Sequence, residues 1–306
     1  MTLTVALVTA REARGLDEDL PPLEAALHAA GVRARVVDWD DRQVDWSHFD
    51  VALIRSTWDY TDRLPQFLAW VDSAARHTIL LNSPAVVRWN TDKHYLGELA
   101  RAQVPVVPSG FLEPGDSAAR GVRDFLARDT CAEFVVKPCV SAGSRDTQRH
   151  ARAEAGAAIA QAERLLSAGR SVLLQPYLES VDREGETSLI FFAGRFSHAI
   201  RKGPLLPRGV AGSPAIGLFA PEKITARNPG ADELRVADRV LSAMPFDAPL
   251  YARVDLIRDG AGAPVLLELE LTEPSLFFAH SAGSAERFTA AVLQAAGLGG
   301  ARNAAS

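Results

Sequence analysis

The sequence is poor in cysteine and in long apolar runs. Cys131 and Cys139 are its only cysteines, and they lack the spacing of a metal site, so a disulfide framework is excluded and a reducing compartment is expected. No apolar run approaches the roughly 20 residues that a membrane helix needs. The net charge of −5 argues against nucleic acid or an anionic membrane as the main partner. The sequence therefore predicts a soluble, cytoplasmic protein.

Strand and helix signals alternate in the N-terminal part of the chain. The strand-like runs TVALVT, ARVVDW, DVALIRS and TILLNSP are separated by helical segments at about 21–30, which Gly31 ends, and at about 64–76. This alternation predicts a parallel α/β sheet. After residue 186, the runs ETSLIFFAG, RFSHAIRKG, YARVDLI and PVLLELEL indicate antiparallel strands. The expected fold class combines α/β and α+β, in two or three lobes.

The run VLLELELTEPSLFF places acids on one face of an apolar strand. Glu268 and Glu270 point the same way because strand side chains alternate between faces. The preceding run carries Arg253 and Asp255 at the same spacing, and the turn RDGAGAP predicts a hairpin that gathers all four. A solvated polar face is the ordinary alternative. Carboxylates this close repel one another, which favours a hard divalent cation such as Mg²⁺ between them.

Lysine is scarce, and Lys137 ends an apolar strand. Only four of the 33 basic residues are lysines. The strand FVVKP is followed by a loop with the small residues Ser141, Gly143 and Ser144, which let backbone N–H groups approach a phosphate. An ordinary surface hairpin is the alternative. Lys137 and this loop therefore predict a phosphate site.

Two further lysines support the same interpretation. Lys93 is expected in the first turn of a helix over 91–102, where a cation is poorly placed unless an anion binds nearby. Lys202 closes the strand RFSHAIRKG and begins a Gly/Pro-rich loop over 203–217, whose length is typical of a functional or mobile segment. The alternative is that each of these lysines is an ordinary solvated side chain.

Taken in order, these motifs resemble the ATP-grasp superfamily of carboxylate-amine ligases over nearly the whole chain. The resemblance is carried, in chain order, by segments that are similar to those of the family: NSPAVVRWNTDKHYLGELARAQVPVVPS, FVVKP, VSAGSRD, LLQPYLE, EGETSLIFF, RVDLI and LLELEL. The resemblance implies ATP and Mg²⁺ as cofactors and an ATP-grasp fold, with an N-terminal parallel α/β domain and two ATP-binding subdomains. The expected boundaries are 1–88 for the N-terminal domain, 89–178 and 179–300 for the subdomains, and 301–306 for a tail.

The resemblance also implies roles for individual residues. The matched nucleotide-binding residues are Lys93, Lys137, Ser141, Gly143, Ser144, Gln175, Tyr177, Leu178 and Glu186; the matched Mg²⁺ ligands are Asp255, Glu268 and Glu270; the matched catalytic residues are Arg253 and Lys202. One position departs from the family, because Glu270 stands where its Glu-x-Asn pattern has Asn. The number of metal ions is therefore left open.

Substrate-side candidates lie in two segments. RSTWDY follows the apolar run DVALI, at the strand end where open α/β sheets place ligands. The candidates are Arg55, Ser56, Asp59, Tyr60, Glu273 and Ser275. The alternatives are that Trp58 and Tyr60 pack between domains, and that Arg55 and Asp59 form a structural ion pair. Residues 17–19 are expected to begin a helix rather than to line the cleft.

The strings RSTWDY, NTDK, IRKGP and LELELTEPSLFF are similar to the group that includes the cycloserine-forming O-ureido-serine cyclo-ligase, of glutathione synthetase type. The implied chemistry is phosphorylation of an amino-acid carboxylate by ATP, followed by attack of a nitrogen on the acyl phosphate. The alternatives are an intermolecular amino-acid or dipeptide ligase, a nucleotide-binding regulatory protein without turnover, and a glycosidase that uses the paired acids. The relatives are often dimers, so a homodimer is possible.

Overall fold

The computed structural model describes residues 2–204, 206 and 223–297. Its first sheet has four parallel strands in the order β2-β1-β3-β4, which confirms the predicted parallel arrangement. The strands are β1 (Thr4–Thr9), β2 (Arg33–Asp38), β3 (Val51–Ser56) and β4 (Ile79–Leu81), and the helices are α1 (Leu20–Ala29) and α2 (Leu64–Ala74). Nearly every residue of β1 and β3 is buried, as expected for parallel strands covered on both faces. Gly31 follows α1 with a φ of +78°, a left-handed conformation that ends the helix.

The second sheet is antiparallel and has the order β5-β8-β6-β7. Its elements, with the two helices that precede it, are α3 (Pro84–Asn90), α4 (Tyr95–Arg101), β5 (Gly110–Leu112), α5 (Ala118–Arg128), β6 (Glu133–Pro138), β7 (Gln148–Ala151), α6 (Ala155–Ser167) and β8 (Val172–Pro176). Apolar side chains of α5 and α6 pack on β6 and β8 and form a separate core. The strand FVVKP therefore lies in the middle of this sheet, with Lys137 near its end.

The helix predicted over 91–102 is present as α4 but begins only at Tyr95. Lys93 therefore lies in the break between α3 and α4, and the prediction that it lies in a first helical turn is wrong. The Asp92 carboxylate accepts the backbone N–H of His94 at 3.1 Å, a local bond that competes with helical pairing. The Lys93 N–H donates instead to the carbonyl of Cys139 at 3.0 Å, which draws this lysine toward the loop after β6.

The third sheet is antiparallel and has the order β11-β10-β9-β12-β13. Its elements, with the helices around it, are α7 (Ser180–Glu184), β9 (Glu186–Phe192), β10 (Arg195–Lys202), β11 (Ile224–Arg227), α8 (Ala231–Ser242), β12 (Tyr251–Arg258), β13 (Pro264–Glu270) and α9 (Ser284–Ala295). The predicted hairpin is confirmed: Arg253 lies opposite Glu270, and Asp255 lies opposite Glu268.

The three sheets fall within the three predicted ranges, and the exact domain boundaries stay a prediction. Residues 105–107 pair with Leu266 of β13, where the Val107 N–H donates to its carbonyl at 2.9 Å, so the segment before β5 is joined to the third sheet. Most of the predicted Gly/Pro loop at 203–217 and the tail at 301–306 lie outside the described residues. Among the helices of the described ranges, none has the length and apolarity to span a bilayer.

Candidate active site

A cavity of about 640 Å³ lies between the three sheets. The first sheet lines it with the loop after β1 and the turn after β3, the second with β6, β8 and the loop after β6, and the third with the inner face of β12 and β13. This volume is typical of small-molecule sites, which span roughly 300–1,000 Å³. The cavity is therefore the candidate active site.

Cations and carboxylates alternate along the wall formed by the third sheet. The Lys93 ammonium lies 3.1 Å from the Glu268 carboxylate, and the Lys137 ammonium lies 4.0 Å from it. Glu270 forms an ion pair with Arg253 across the hairpin. We call this set the charge cluster; its members are Lys93, Lys137, Glu186, Lys202, Arg253, Asp255, Glu268 and Glu270. Its predicted phosphate, metal and catalytic residues thus lie together.

Asp255 is the most enclosed acid of the charge cluster. Its carboxylate accepts from Arg253 Nε at 3.0 Å and from Lys202 Nζ at 2.9 Å, and the same lysine lies 3.0 Å from Glu186. Asp255 is 1 % exposed, and it stands behind these two cations rather than among the residues that line the cavity. Burial would raise its pKa, but Arg253 and Lys202 outweigh burial and hold the pKa well below its ordinary value.

The strand acids differ in their protonation. Burial opposes charge on Glu268, but the ammonium groups of Lys93 and Lys137 prevail and lower its pKa. Burial raises the pKa of Glu270 to about 7, with Arg253 opposing the shift and Glu268 adding to it. Burial also raises the pKa of Glu273 to about 8, assisted by the nearby charge of Glu270. The protonation of each of these acids therefore depends on its burial and on the charged groups beside it.

The loop after β6 approaches the lysines as predicted. The Lys93 ammonium donates to the carbonyl and the hydroxyl of Ser141 at 2.8 and 3.1 Å. Gly143 and Ser144 have φ values of +61° and +57°, and successive left-handed residues give the loop a tight curve. Arg145 forms an ion pair with Asp62, which joins the loop to the first sheet. The loop thus forms one side of the cavity.

The predicted adenine segment lines an apolar recess. The side chain of Gln175 is fixed by a bond from its Nε2 to Ser109 Oγ at 3.0 Å, and the Tyr177 hydroxyl donates to Asp182 at 2.6 Å. The Arg149 guanidinium lies 3.4 Å above the Tyr177 ring, so one face of that ring is covered. Apolar residues that the motifs did not single out complete the recess; they are Val135, Pro176, Ile257 and Leu267. Leu178 lines it as well.

Three of the six substrate-side candidates line the cavity. Tyr60, Glu273 and Ser275 do so, and Trp58 lies beside them. The Ser56 hydroxyl instead bonds to Thr9 Oγ1 at 2.8 Å within the first sheet. A small molecule bound in the cavity can therefore contact Tyr60, Glu273 and Ser275.

Arg55 and Asp59 are placed differently from either prediction. Asp59 accepts from Trp39 Nε1 at 2.9 Å and pairs with Arg63, away from the residues that line the cavity. Arg55 is 1 % exposed. Its guanidinium lies 3.8 Å from Asp17 and 3.6 Å from Asp19, so a structural ion pair between Arg55 and Asp59 is wrong.

Residues 272–278, which we call the substrate loop, follow β13 and are held by an acid of the first sheet's domain. The Asp19 carboxylate accepts the backbone N–H groups of Leu276, Phe277 and Phe278 at 2.5, 3.1 and 2.8 Å. Arg55 donates to the carbonyl of Pro274 at 3.2 Å. The substrate loop therefore presents Glu273 and Ser275 from a fixed backbone.

The third sheet holds the carbonyls of the substrate loop. Tyr251 donates to Thr272 at 3.0 Å, Arg253 donates to Ser275 at 3.3 Å, and His198 bonds to Leu276 at 2.8 Å. Burial lowers the pKa of His198 to about 4, so its ring is neutral at physiological pH and donates from Nε2. Both sides of the loop's backbone are thus satisfied by side chains from distant parts of the chain.

The expectation for residues 17–19 is wrong, because all three line the cavity. Asp19 precedes α1, but its side chain caps no helical N–H and is used by the substrate loop instead. The available signal was position: the acids follow β1, and RSTWDY begins in the last two residues of β3, so both segments lie at the carboxyl edge of one parallel sheet.

A second group of possible metal ligands lies at the helix break. Asp92, His94 and Cys139 place ligand atoms within 4.8 Å of one another. Both His94 ring nitrogens already have partners, with Asp92 at 2.6 Å and Glu113 at 2.8 Å. This chain of hydrogen bonds accounts for the arrangement as structure.

Comparisons with known proteins extend over the whole chain. A family model described as D-cycloserine synthetase DcsG, N-terminal domain, matches residues 5–82. The cycloserine biosynthesis protein DcsG of Streptomyces lavendulae is 43 % identical over 297 residues, which cover 95 % of this chain and 98 % of that protein. A crystal structure of D-cycloserine synthetase DcsG superposes with a TM-score of 0.89 at 42 % identity, covering 96 % of this chain and 99 % of that one.

More distant structures share the fold. The D-alanine–D-alanine ligase of Bacillus anthracis has a TM-score of 0.68 at 15 % identity, with 97 % of each chain covered. The ATP-grasp ligase PsnB, in a complex with a minimal precursor, Mg and ADP, has a TM-score of 0.61 at 19 % identity, with 95 % of this chain and 97 % of that one covered. The likeness thus includes both antiparallel sheets as well as the parallel sheet.

Proposed function

This chain belongs to the D-cycloserine synthetase family of ATP-grasp ligases, and on that premise we propose that it closes the ring of D-cycloserine from O-ureido-D-serine. It is an ATP-dependent ligase that forms C–N bonds, which sets aside the regulatory and glycosidase alternatives. The observation that carries the proposal is the 43 % identity over nearly the full length of both chains. The intermolecular ligase is the remaining competitor.

The proposed reaction begins with transfer of the γ-phosphoryl group of ATP to the substrate carboxylate. A nitrogen of the same molecule, the one bonded to the side-chain oxygen, then attacks the acyl carbon, and phosphate leaves. D-cycloserine lacks the carbamoyl group of O-ureido-D-serine, so that group must leave with consumption of water, as carbon dioxide and ammonia. A closed cavity favours this intramolecular attack because water competes for the same acyl carbon.

The charge cluster supports the phosphoryl-transfer step. We assign Lys93, Lys137 and the loop at Ser141, Gly143 and Ser144 to the phosphates of ATP, because their donors meet at one side of the cavity. Arg253 and Lys202 are assigned to the developing charge on the transferred group. Each cation now neutralises a carboxylate and can exchange that partner for a phosphate oxygen.

The acids of the charge cluster fit a Mg²⁺ ion. Glu268 and Glu270 line the cavity, Asp255 lies opposite Glu268 in the hairpin, and carboxylate oxygens are the ligands that this ion prefers. The three acids would hold the ion, which would supply positive charge to neutralise the phosphates. Arg253 orients Glu270 and Asp255 through its ion pairs with both.

The other end of the cavity is assigned to the nucleoside. Gln175, Tyr177 and Leu178 border the apolar recess for adenine, and Glu186 is assigned to the ribose hydroxyls. The amino acid then lies against Tyr60, Glu273 and Ser275, near the acids of residues 17–19. We also propose a cytoplasmic location, because the co-substrate ATP is available in the cytoplasm. A homodimer remains a prediction.

The test is ATP-dependent phosphate release by the purified protein with O-ureido-D-serine, its L form, single amino acids and amino-acid pairs. We expect release only with the D form, together with D-cycloserine detected by mass spectrometry. Lys137→Ala provides the inactive control. Release that needs two different amino acids, with a condensed product, would instead identify an intermolecular ligase.

A further inference from the structure

Glu273 differs from the other acids of the cavity in its burial and in its partners, because Glu268 and Glu270 are only partly buried. Glu268 lies 3.1 Å from Lys93, and Glu270 is paired with Arg253. Asp19 accepts three backbone N–H groups and lies 3.6 Å from Arg55. Within the described ranges, no lysine or arginine forms an ion pair with Glu273. Its carboxyl group therefore lies in the cavity without a neutralising cation.

Tyr60 is the polar neighbour of Glu273 in the cavity. Both residues are more than nine-tenths buried, both line the cavity, and the Tyr60 hydroxyl affects the pKa of the Glu273 carboxyl group. Tyr60 belongs to a 3-10 helix after β3, and Phe67 stacks on its ring at 5.0 Å between centroids. The tyrosine is thus held by the domain of the first sheet, while the acid is held by the substrate loop.

We infer that Glu273 is a catalytic residue that accepts the proton of the attacking nitrogen during ring closure, and that Tyr60 positions it. This inference rests on the proposed cyclisation. The N–C bond forms as the bond from the acyl carbon to the phosphate oxygen breaks. Phosphate leaves with that electron pair, and the N–H proton passes to a Glu273 carboxylate oxygen. Without such an acceptor, the attacking nitrogen would carry a positive charge into a buried site.

The surroundings of Glu273 suit a proton acceptor. The charged groups that face it are Glu268 and Glu270 of β13 and Lys93 of the helix break, and Tyr60 faces it from the 3-10 helix. Burial and Glu270 raise its pKa to about 8, whereas Tyr60 and Lys93 oppose that shift. A carboxylate with a raised pKa is a stronger base, and it still ionises within the physiological range. Ring closure should therefore become faster as the pH rises toward about 8, and then level off.

Hydroxylamine trapping separates the two halves of the reaction. Hydroxylamine converts an acyl phosphate into a hydroxamate without the substrate's own nitrogen, so hydroxamate and ADP report activation while D-cycloserine reports closure. Glu273→Gln should lower the ratio of D-cycloserine to hydroxamate at least about 100-fold relative to the wild type. Hydroxamate formation also shows that the variant is folded.

Two further variants define the roles. Glu273→Asp should restore part of this ratio, and Tyr60→Phe should lower the ratio by about tenfold. Glu163→Gln, an exposed acid on α6, is the matched control and should behave as the wild type.

Three outcomes would overturn the inference. Parallel loss of hydroxamate and D-cycloserine in Glu273→Gln would place the residue in substrate binding or activation. A raised KM with unchanged kcat for closure would make it a ligand for the substrate's ammonium group. Absence of ADP and hydroxamate from the wild type with O-ureido-D-serine would refute the proposed function itself, and with it the inference.

Discussion

Two buried acids at opposite ends of the substrate region are satisfied in different ways. Asp255 is bonded by the mobile ends of long side chains, the Lys202 ammonium and the Arg253 guanidinium. Asp19 is bonded by three consecutive backbone N–H groups of the substrate loop. Side-chain cations can change partners when ATP and a metal ion arrive, whereas backbone donors can move only if the loop moves. The charge cluster therefore suits exchange, and the Asp19 contact suits fixed geometry.

The largest effect is expected from breaking the charge cluster. Lys137→Ala and Glu268→Gln should each lower ATP-dependent phosphate release at least about 1,000-fold, because each removes a preorganised charge at the transferred group. Both proteins should remain folded, since Lys93 still faces position 268. Phosphate release and circular dichroism check the result, with the exposed Lys223→Ala as the matched control. Substantial activity in either variant would remove the phosphate and metal assignments.

Removing the cation beside Asp17 and Asp19 should mainly lower the stability of the fold. Arg55→Ala leaves Asp17 and Asp19 buried without their cation, so the free energy of unfolding should fall by about 3–5 kcal/mol. Arg120→Ala removes an exposed pair with Asp124 on α5 and should cost about 1 kcal/mol or less. Denaturant unfolding measures both. Equal losses in the two variants would mean that the ion pairs of Arg55 with Asp17 and Asp19 stabilise the fold no more than an exposed pair does.

A subtler change at Asp19 should separate amino-acid binding from ATP binding. Asp19→Asn keeps one acceptor oxygen but lacks the charge that holds three N–H groups, so the substrate loop loosens. The KM for the amino acid should rise roughly tenfold, equivalent to about 1.4 kcal/mol, while the KM for ATP stays within twofold. Steady-state kinetics, with the exposed Asp238→Asn as control, check this. A matching rise in both KM values would contradict the distinction between the exchangeable contacts of the charge cluster and the fixed contact of Asp19 with the substrate loop.

The smallest effect is expected at the position that departs from the family pattern. Glu270→Asn removes one carboxylate and leaves Arg253 with Asp255 as its acid. The Mg²⁺ concentration needed for half-maximal activity should rise by a few-fold, since an amide oxygen binds the ion more weakly than a carboxylate. A magnesium titration of phosphate release measures it. An unchanged titration curve would show that the departure has no consequence for metal binding.

Local patterns were enough to predict the hairpin part of the charge cluster. Three of the cluster's four acids lie on two strands joined by a short turn, so alternation places Glu268 and Glu270 on one face, and hairpin pairing brings Arg253 and Asp255 opposite them. The fourth, Glu186 of β9, was expected only from the family resemblance. Lys137 could be placed because it ends an uninterrupted apolar strand. These inferences depend on neighbours within a few residues, where strand geometry leaves few choices.

The contacts of Asp19 and Arg55 could not be predicted in the same way. Asp19 binds residues that lie 257 to 259 positions away along the chain, and no local pattern distinguishes that role from the start of α1. Arg55 had Asp59 four residues away as a plausible partner, but the 3-10 helix turns Asp59 toward Trp39 and Arg63. The break after α3 also depended on tertiary contacts, because the Asn90 side chain bonds the backbone of Leu269 and Leu271.

The bond between Asp19 and the substrate loop limits how relatives of this enzyme can be recombined. A chimera that joins the first domain of one family member to the remainder of another would match an acid from one parent with a loop from the other. Residue 19 and residues 272–278 should therefore be exchanged together when substrate selectivity is transferred. The elements proposed to bind the nucleotide can stay with the recipient, because their cavity-lining residues lie outside the first domain.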